Sequence, residues 1–377
     1  MDEQLKFPFY AKASLIIMGT CAFIAILYIG QDIIVPLIYA TIFAILLNPV
    51  VNFFTARGLN RIIAIILTLL LAILFTFGLF YFISSQVSRF TEDLPQLKEK
   101  FNTMVDQGVK FISVTLNIST KQVTQWIATT KSSAINNTGA VVGQTLTTVS
   151  GALIIAVLLP VYVFMILLYK SLFLEFIRKL FDRSLHKTVV EVLTETKGLI
   201  HNYLVGLLIE AGIVATLNSI ALMILGIKYA ILLGIIGALL NIIPYIGGII
   251  AVSLPMTMAL ITKPPSYALL VLGSYMIIQL IDNNFLVPKI VASKVKINAI
   301  VSIVVVFIGN DLWGIPGMFL SIPLTAIIKV IFDHIEPLKP WGFLLGDHMP
   351  SPTRQIFKFP SRKSKAINPA ETQETKN

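Results

Sequence analysis

The sequence predicts an all-α, polytopic transmembrane helical bundle, and three observations predict it. Hydrophobic residues make up 56% of the chain and mean hydropathy is +0.85, above the roughly 45–50% apolar usage of ordinary soluble domains. Only 13% of residues are charged. Several apolar runs reach about 20 residues, the length an α-helix needs to cross the hydrocarbon core.

The elements follow in order. Residues 14–30 form a first span and residues 33–51 a second, with Gln31 and Asp32 at the turn between them. Arg57 and Arg61 flank the next loop, and a third span covers 62–83, closing an N-terminal membrane region of residues 1–83. Residues 84–147 change character and read as an extramembrane helical insert. Within it Phe90, Leu94, Leu97, Phe101 and Met104 recur at heptad spacing, suited to helix packing within the chain or between copies of it. Asp93 and Pro95 suit a helix start near Leu94, and Ser119 or Thr120 suits the cap of a second short helix carrying Val123, Trp126 and Ile127.

The region 148–336 reads as a transmembrane core. A fourth span covers 151–169, an amphipathic surface helix 170–197, and a fifth span 203–225. The sixth, 267–287, is ordinary in length but not in content. Two further apolar stretches, 229–261 and 299–332, are interrupted near their middles by Gly, Pro and Asn. Each is either a pair of full spans or a re-entrant helical hairpin, because broken backbone at membrane depth survives only where protein or a watery cavity satisfies its polar groups. Residues 337–377 form a tail that is polar and Pro-containing from about residue 350, and disorder is expected there. Lys and Arg concentrate at 6–12, 57–61, 170–197, 289–296 and in the tail. The positive-inside rule therefore makes both termini cytoplasmic.

Several function classes are set aside. The net charge of +10 is scattered among loops and the tail, which fits membrane orientation and gives no basis for nucleic-acid binding. A single cysteine, Cys21, excludes an intrachain disulfide and a thiolate metal cluster. No cleavable signal peptide is expected. The chain has no phosphate-binding G-x-x-x-x-G-K-[ST] loop, nucleophile elbow or H-E-x-x-H, so neither enzyme catalysis nor ATP-driven pumping is expected. Neither a metal nor any other cofactor is expected.

The candidate site lies in the sixth span. Gln279, Asp282, Asn283 and Asn284 put a carboxylate and three amides inside a run that otherwise reads as membrane. The first three, at i, i+3 and i+4, share one helical face. An ionisable group at depth costs at least a few kcal/mol in hydrocarbon, so such a face turns toward a bundle interior or a watery cavity. Asp282 can exchange a proton or pair with a cation, and the amides can read a polar solute. The competing reading is a buried network that only ties helices together. Glu210, in the fifth span and on one stripe with Tyr203 and Gly206, invites the same argument. Asn241, Pro244, Tyr245 and Gly247 at the first interruption, and Gly309 and Pro316 at the second, are candidates for backbone exposed to a solute.

In order and spacing, these fragments resemble a known family. Tyr203 and Gly206, Gly226, the Asn241–Gly247 run, Gln279-x-x-Asp282-x-Asn284-x-x-x-Pro288, the run from Gly309 through Trp313 to Pro316 and Gly317, and Ile322-Pro323 sit where the AI-2E transporter family has its characteristic residues. The family usually has Glu where this chain has Asp282. The resemblance implies about eight transmembrane elements, a bacterial inner-membrane location and a homo-oligomer, with a pentamer as the candidate assembly. It also implies secondary transport: export of a small polar solute such as autoinducer-2 driven by an ion gradient. The alternatives are sodium (or lithium)/proton antiport and, from another class, a non-transporting membrane scaffold. The expected partners are a small polar solute, or a monovalent cation and protons, together with the lipid bilayer.

Overall fold

The computed structural model describes residues 8–116, 157–242, 246–291 and 297–347. The second helix proposed for the insert, Pro244 and Tyr245, the lysines at 294 and 296, and the tail beyond 347 lie outside the described residues, as do the side chains of Leu94, Leu97, Phe101 and Met104.

The described residues are mostly helical. In chain order the helices are α1 (Phe9–Ile29), α2 (Gln31–Ala56), α3 (Arg61–Leu116), α4 (Val157–Leu168), α5 (Lys170–Leu180), α6 (His186–Ile224), α7 (Ala230–Asn241), α8 (Ile246–Thr262), α9 (Ser266–Ile281), α10 (Ala299–His334) and α11 (Lys339–Leu345). A π-helix, Asp282–Val291, continues α9. Among the described residues six helices are long and apolar enough to cross a membrane, or seven if the bent α4–α5 pair is one span. The shorter apolar helices α7 and α8 bring the tally close to the expected eight elements.

α1 is apolar all round and buries no residue within the chain, as a helix facing lipid does. Between helices, lipid offers little hydrophobic drive, so association rests on close packing and polar ties. The small residues follow that rule. Ala40 and Ala44 of α2 meet Ala64 and Ile65 of α3 and Val163 and Leu167 of α4.

α3 departs from expectation. No helix starts at Leu94: α3 runs unbroken for 56 residues with Pro95 inside it. The turn before the proline is anchored from outside. The Phe90 ring meets Tyr229 edge-on at 5.4 Å, and Asp93 Oδ2 accepts bonds from the Tyr229 hydroxyl (2.5 Å) and Lys228 Nζ (3.2 Å). Tyr229 is itself unusual, a non-glycine at φ 60° that starts α7.

The amphipathic stretch 170–197 also divides differently. α4 bends by 61° into α5, and the extended backbone of Phe181 and Asp182 ends that helix after 11 residues. α6 then begins at His186 and absorbs both the rest of the stretch and the fifth span, 39 residues in one helix.

Both interrupted stretches fold back on themselves. α7 has 12 residues and α8 has 17, roughly 18 and 25 Å at about 1.5 Å per residue, short of the roughly 30 Å core. They pack against each other, and a Cβ on Gly247 would stand 1.8 Å from the Leu240 carbonyl oxygen. That favours a re-entrant hairpin over two full spans. In α10 a Cβ on Gly309 would lie 2.5 Å from the Gly317 carbonyl oxygen. Eight residues of straight helix separate such atoms by roughly 12 Å, so the chain reverses between them. It does so through Gly314, at φ 64° and ψ −145°. The returning half packs Leu320 and Ala326 against Ile42 of α2 and Ile200, Tyr203 and Leu204 of α6. Trp313 Nε1 donates to the Leu27 carbonyl at 3.0 Å, and the Tyr39 hydroxyl donates to that of Pro316 at 3.1 Å.

Candidate functional site

Three elements build the site. α6 carries Glu210, Val214 and Asn218 at four-residue intervals, all buried, and so on one stripe. α9 and the π-helix carry Tyr275, Gln279 and Asp282 on another, at intervals of four and three. α7 brings its last residue, Asn241, between them.

Asp282 is 1% exposed. Its Oδ2 accepts from Asn241 Nδ2 at 3.0 Å and from Gln279 Nε2 at 3.4 Å, and Gln279 Nε2 also reaches Asn283 Oδ1 at 3.2 Å. Its Oδ1 is buried without a hydrogen-bond partner. A buried polar atom left this way costs about 1–3 kcal/mol, more if charged.

Two spaces meet at this carboxylate. An inner cavity of about 10 Å³ lies among Asn218, Gly237, Asn241, Tyr275, Gln279 and Asp282, room for about one water. Asn218 Oδ1 and the Tyr275 hydroxyl, like Asp282 Oδ1, are buried without partners. A wider cleft of about 650 Å³ opens on the other side, lined by Glu210, Asn241, Gly248, Gln279, Asp282 and Asn283 among polar and small residues, and by Ile249, Val252, Leu272 and Met276. Glu210 and Asp282 thus face one space. Such a pair can share a proton or a cation more easily than it can hold two bare charges. Among the described residues no group of three His, Cys, Asp or Glu side chains is placed to hold a metal ion.

The candidate residues from the sequence separate into groups. Gln279, Asp282, Asn283, Glu210 and Asn241 come together. Asn284 does not join them, because its amide donates to the Leu280 carbonyl of its own helix at 2.8 Å. Gly247 is where α8 comes closest to the end of α7, and Gly309 is where the two halves of α10 come closest; neither they nor Pro316 line the cleft or the inner cavity. Among the described residues the α7–α8 hairpin contributes to the cleft, while α10 packs on α1, α2 and α6. Pro244 and Tyr245 are outside the described residues. Sequence reading missed Asn218 and Tyr275. Both carried a signal, Asn218 as a lone amide eight residues after Glu210 and Tyr275 as a polar tip four before Gln279.

The sequence profile of the AI-2E family transporter matches residues 16–336. The chain belongs to the AI-2E transporter family. Three similar proteins align with it over most of their lengths. The AI-2 transport protein TqsA of Escherichia coli is 26% identical over 325 residues, 84% of this chain and 90% of TqsA. YrrI of Bacillus subtilis is 26% identical over 318 residues, 81% of this chain and 87% of YrrI. YhhT of Escherichia coli is 25% identical over 333 residues, 86% of this chain and 91% of YhhT. The last two carry provisional transport-protein names. This AI-2E protein is accordingly a multi-pass membrane transporter, and family membership implies a small solute as its substrate.

Proposed function

We propose that this AI-2E transporter is a secondary transporter, moving a small polar solute such as autoinducer-2 outward through the cleft under control of an ion at Asp282. The observation that carries this is the state of the Asp282 carboxylate, with one oxygen held by Asn241 and Gln279 and the other unpartnered beside a one-water cavity. A proton or a monovalent cation there would remove the cost of the bare oxygen. The cleft's amides, together with Glu210, offer donors and acceptors to a hydroxylated solute. Loading Asp282 changes its bonds to Asn241 and hence the seating of the α7–α8 hairpin. A hairpin that shifts between two seatings would open the cleft to each side in turn.

Sodium (or lithium)/proton antiport is the second reading. It is favoured by the inner cavity, where the unpartnered oxygens of Asp282, Asn218 and Tyr275 suit a small cation better than a large solute. A non-transporting scaffold would need none of these polar groups inside the bundle. We further propose an inner-membrane location with both termini cytoplasmic, and assembly into a homo-oligomer through the outer part of α3.

The test is flux by purified protein in liposomes under imposed proton and sodium gradients, with autoinducer-2 among a small panel of polar solutes. Gradient-dependent flux is expected, falling at least about tenfold, some 1.4 kcal/mol of barrier, in monodisperse Asp282→Asn protein and partly retained in Asp282→Glu. Wild-type flux in Asp282→Asn would make the carboxylate a structural tie. Cation exchange without solute movement would favour the antiporter.

A further inference from the structure

A second polar pocket lies far from Asp282 in the chain, where the end of α2, the start of α3 and the α4–α5 bend converge. It encloses about 530 Å³ and is lined by Asn48, Asn52, Thr55, Arg61, Lys170 and Ser171 among others, with no carboxylate in its lining. Lys197 of α6 is a further cationic neighbour of Lys170, as is Arg61. None of these three cations has a carboxylate within ion-pair distance among the described residues. The nearby Glu175 is already paired with Arg178 and Lys179.

Three like charges left together without a counter-ion repel one another, and an anion relieves that repulsion. The donors present suit a phosphate. Arg61 spends Nη2 on the Leu167 carbonyl (2.7 Å) and Nη1 weakly on Ser171 (3.4 Å), and retains further N–H groups of its five. Lys170 gives one of its three protons to Asn48 Oδ1 at 3.1 Å. Asn48, 6% exposed, lines the pocket, and its Nδ2 is a buried donor without an acceptor. An anion can accept from that donor and offset those charges at once, which a neutral or cationic ligand cannot do.

The pocket's position points to the source of the phosphate. α5 turns by 61° away from α4 and exposes Leu172, Phe173, Phe176 and Leu180 beside Arg178 and Lys179. This is the pattern of a helix lying in the membrane interface. Lipid phosphates occupy that level, and basic pockets between membrane helices hold anionic headgroups.

We propose that the Asn48–Arg61–Lys170 pocket, with Lys197 beside it, binds the phosphate of an anionic phospholipid and so pins the α4–α5 bend to α2 and α3. The site is independent of what the transporter carries. The test uses full-length protein extracted in detergent, with lipid retention read by native mass spectrometry and thermal stability measured after adding phosphatidylglycerol, phosphatidylcholine or inorganic phosphate. Phosphatidylglycerol should be retained and should raise the melting temperature, while phosphatidylcholine should do neither. Lys170→Gln with Lys197→Gln should weaken retention at least about tenfold, and Lys170→Arg should preserve it. If the double variant fails to fold, Asn48→Asp, which exchanges the free donor for a negative charge, should give the same loss. Unchanged phosphatidylglycerol retention in these variants overturns the site. Equal stabilisation by inorganic phosphate, with none added by the lipid, overturns the lipid assignment.

Discussion

Asn241 Nδ2 lies 3.0 Å from Asp282 Oδ2, so the last residue of α7 is tied to the first residue of the π-helix. The bond crosses between two elements that the sequence separates by 41 positions. Among the described residues, this bond is how the α7–α8 hairpin holds the Asp282 carboxylate.

Removing that tie should be felt in both stability and transport. Asn241→Ala withdraws the shorter of the two bonds to a buried carboxylate, a loss of about 1.5–3 kcal/mol, and frees the hairpin end. A thermal-shift measurement should place the variant below wild type, and liposome flux should fall. Asn241→Asp should be worse, because it sets a second carboxylate against the first. Wild-type stability in Asn241→Ala would make this contact incidental.

The α10 hairpin should tolerate no side chain at its closest approach. A Cβ at Gly309 would stand 2.5 Å from the Gly317 carbonyl oxygen, a backbone atom that cannot swing aside. Gly309→Val should therefore destabilise by about 1–3 kcal/mol or more, seen as lost monodisperse yield in size-exclusion chromatography. Gly19, where an added Cβ would meet nothing within 4 Å, is the control, and Gly19→Ala should behave as wild type.

The contact between α3 and the start of α7 should weaken in acid. The Tyr229 hydroxyl first, and the Lys228 ammonium after it, hold the Asp93 carboxyl below its ordinary range. A group whose folded pKa is depressed stabilises the fold above its unfolded pKa, about 3.9, and loses that contribution as pH falls through the folded value. Tyr229→Phe should thus lower the melting temperature near pH 7, and the gap to wild type should close as pH falls through the depressed folded value. A gap independent of pH would mean that the hydroxyl's bond to the Asp93 carboxylate does not carry the effect.

Orientation can be read chemically. In a Cys21→Ser background, single cysteines at Ser293 and Ser361 should be shielded from an impermeant thiol reagent added outside intact cells, whereas one at Ser113 should label. This follows from the Lys and Arg distribution. External labelling at Ser293 or Ser361 reverses the assignment.

Much of the bundle was legible because apolar run length is a direct physical requirement of the bilayer, and α1, α2, α9 and the membrane half of α3 fall where their runs do. Asp282 and Gln279 were legible for the opposite reason, as polar groups where polarity is costly. What run length does not encode is direction. The reversal at Gly309 and Gly317 depends on one glycine adopting φ 64° between them, and the same letters would serve a kink or a loop. Pro95 misled because a proline's effect depends on what holds the turn before it, here Tyr229, far away in sequence. Asn218 and Tyr275 were individually visible, but their convergence on Asp282 is a property of how α6 packs on α9, which no spacing within either helix contains.

α3 has consequences beyond its own packing. At about 1.5 Å per residue its 56 residues measure roughly 84 Å, and its contact with Lys228 and Tyr229 falls near the middle of that length. α7 is a rod of 12 residues, clamped to this long lever at its first turn and to Asp282 at its last. A rod fixed at both ends passes displacement along instead of absorbing it. A force applied at the far end of α3 would therefore reach the carboxylate between α6, α7 and α9 through α7.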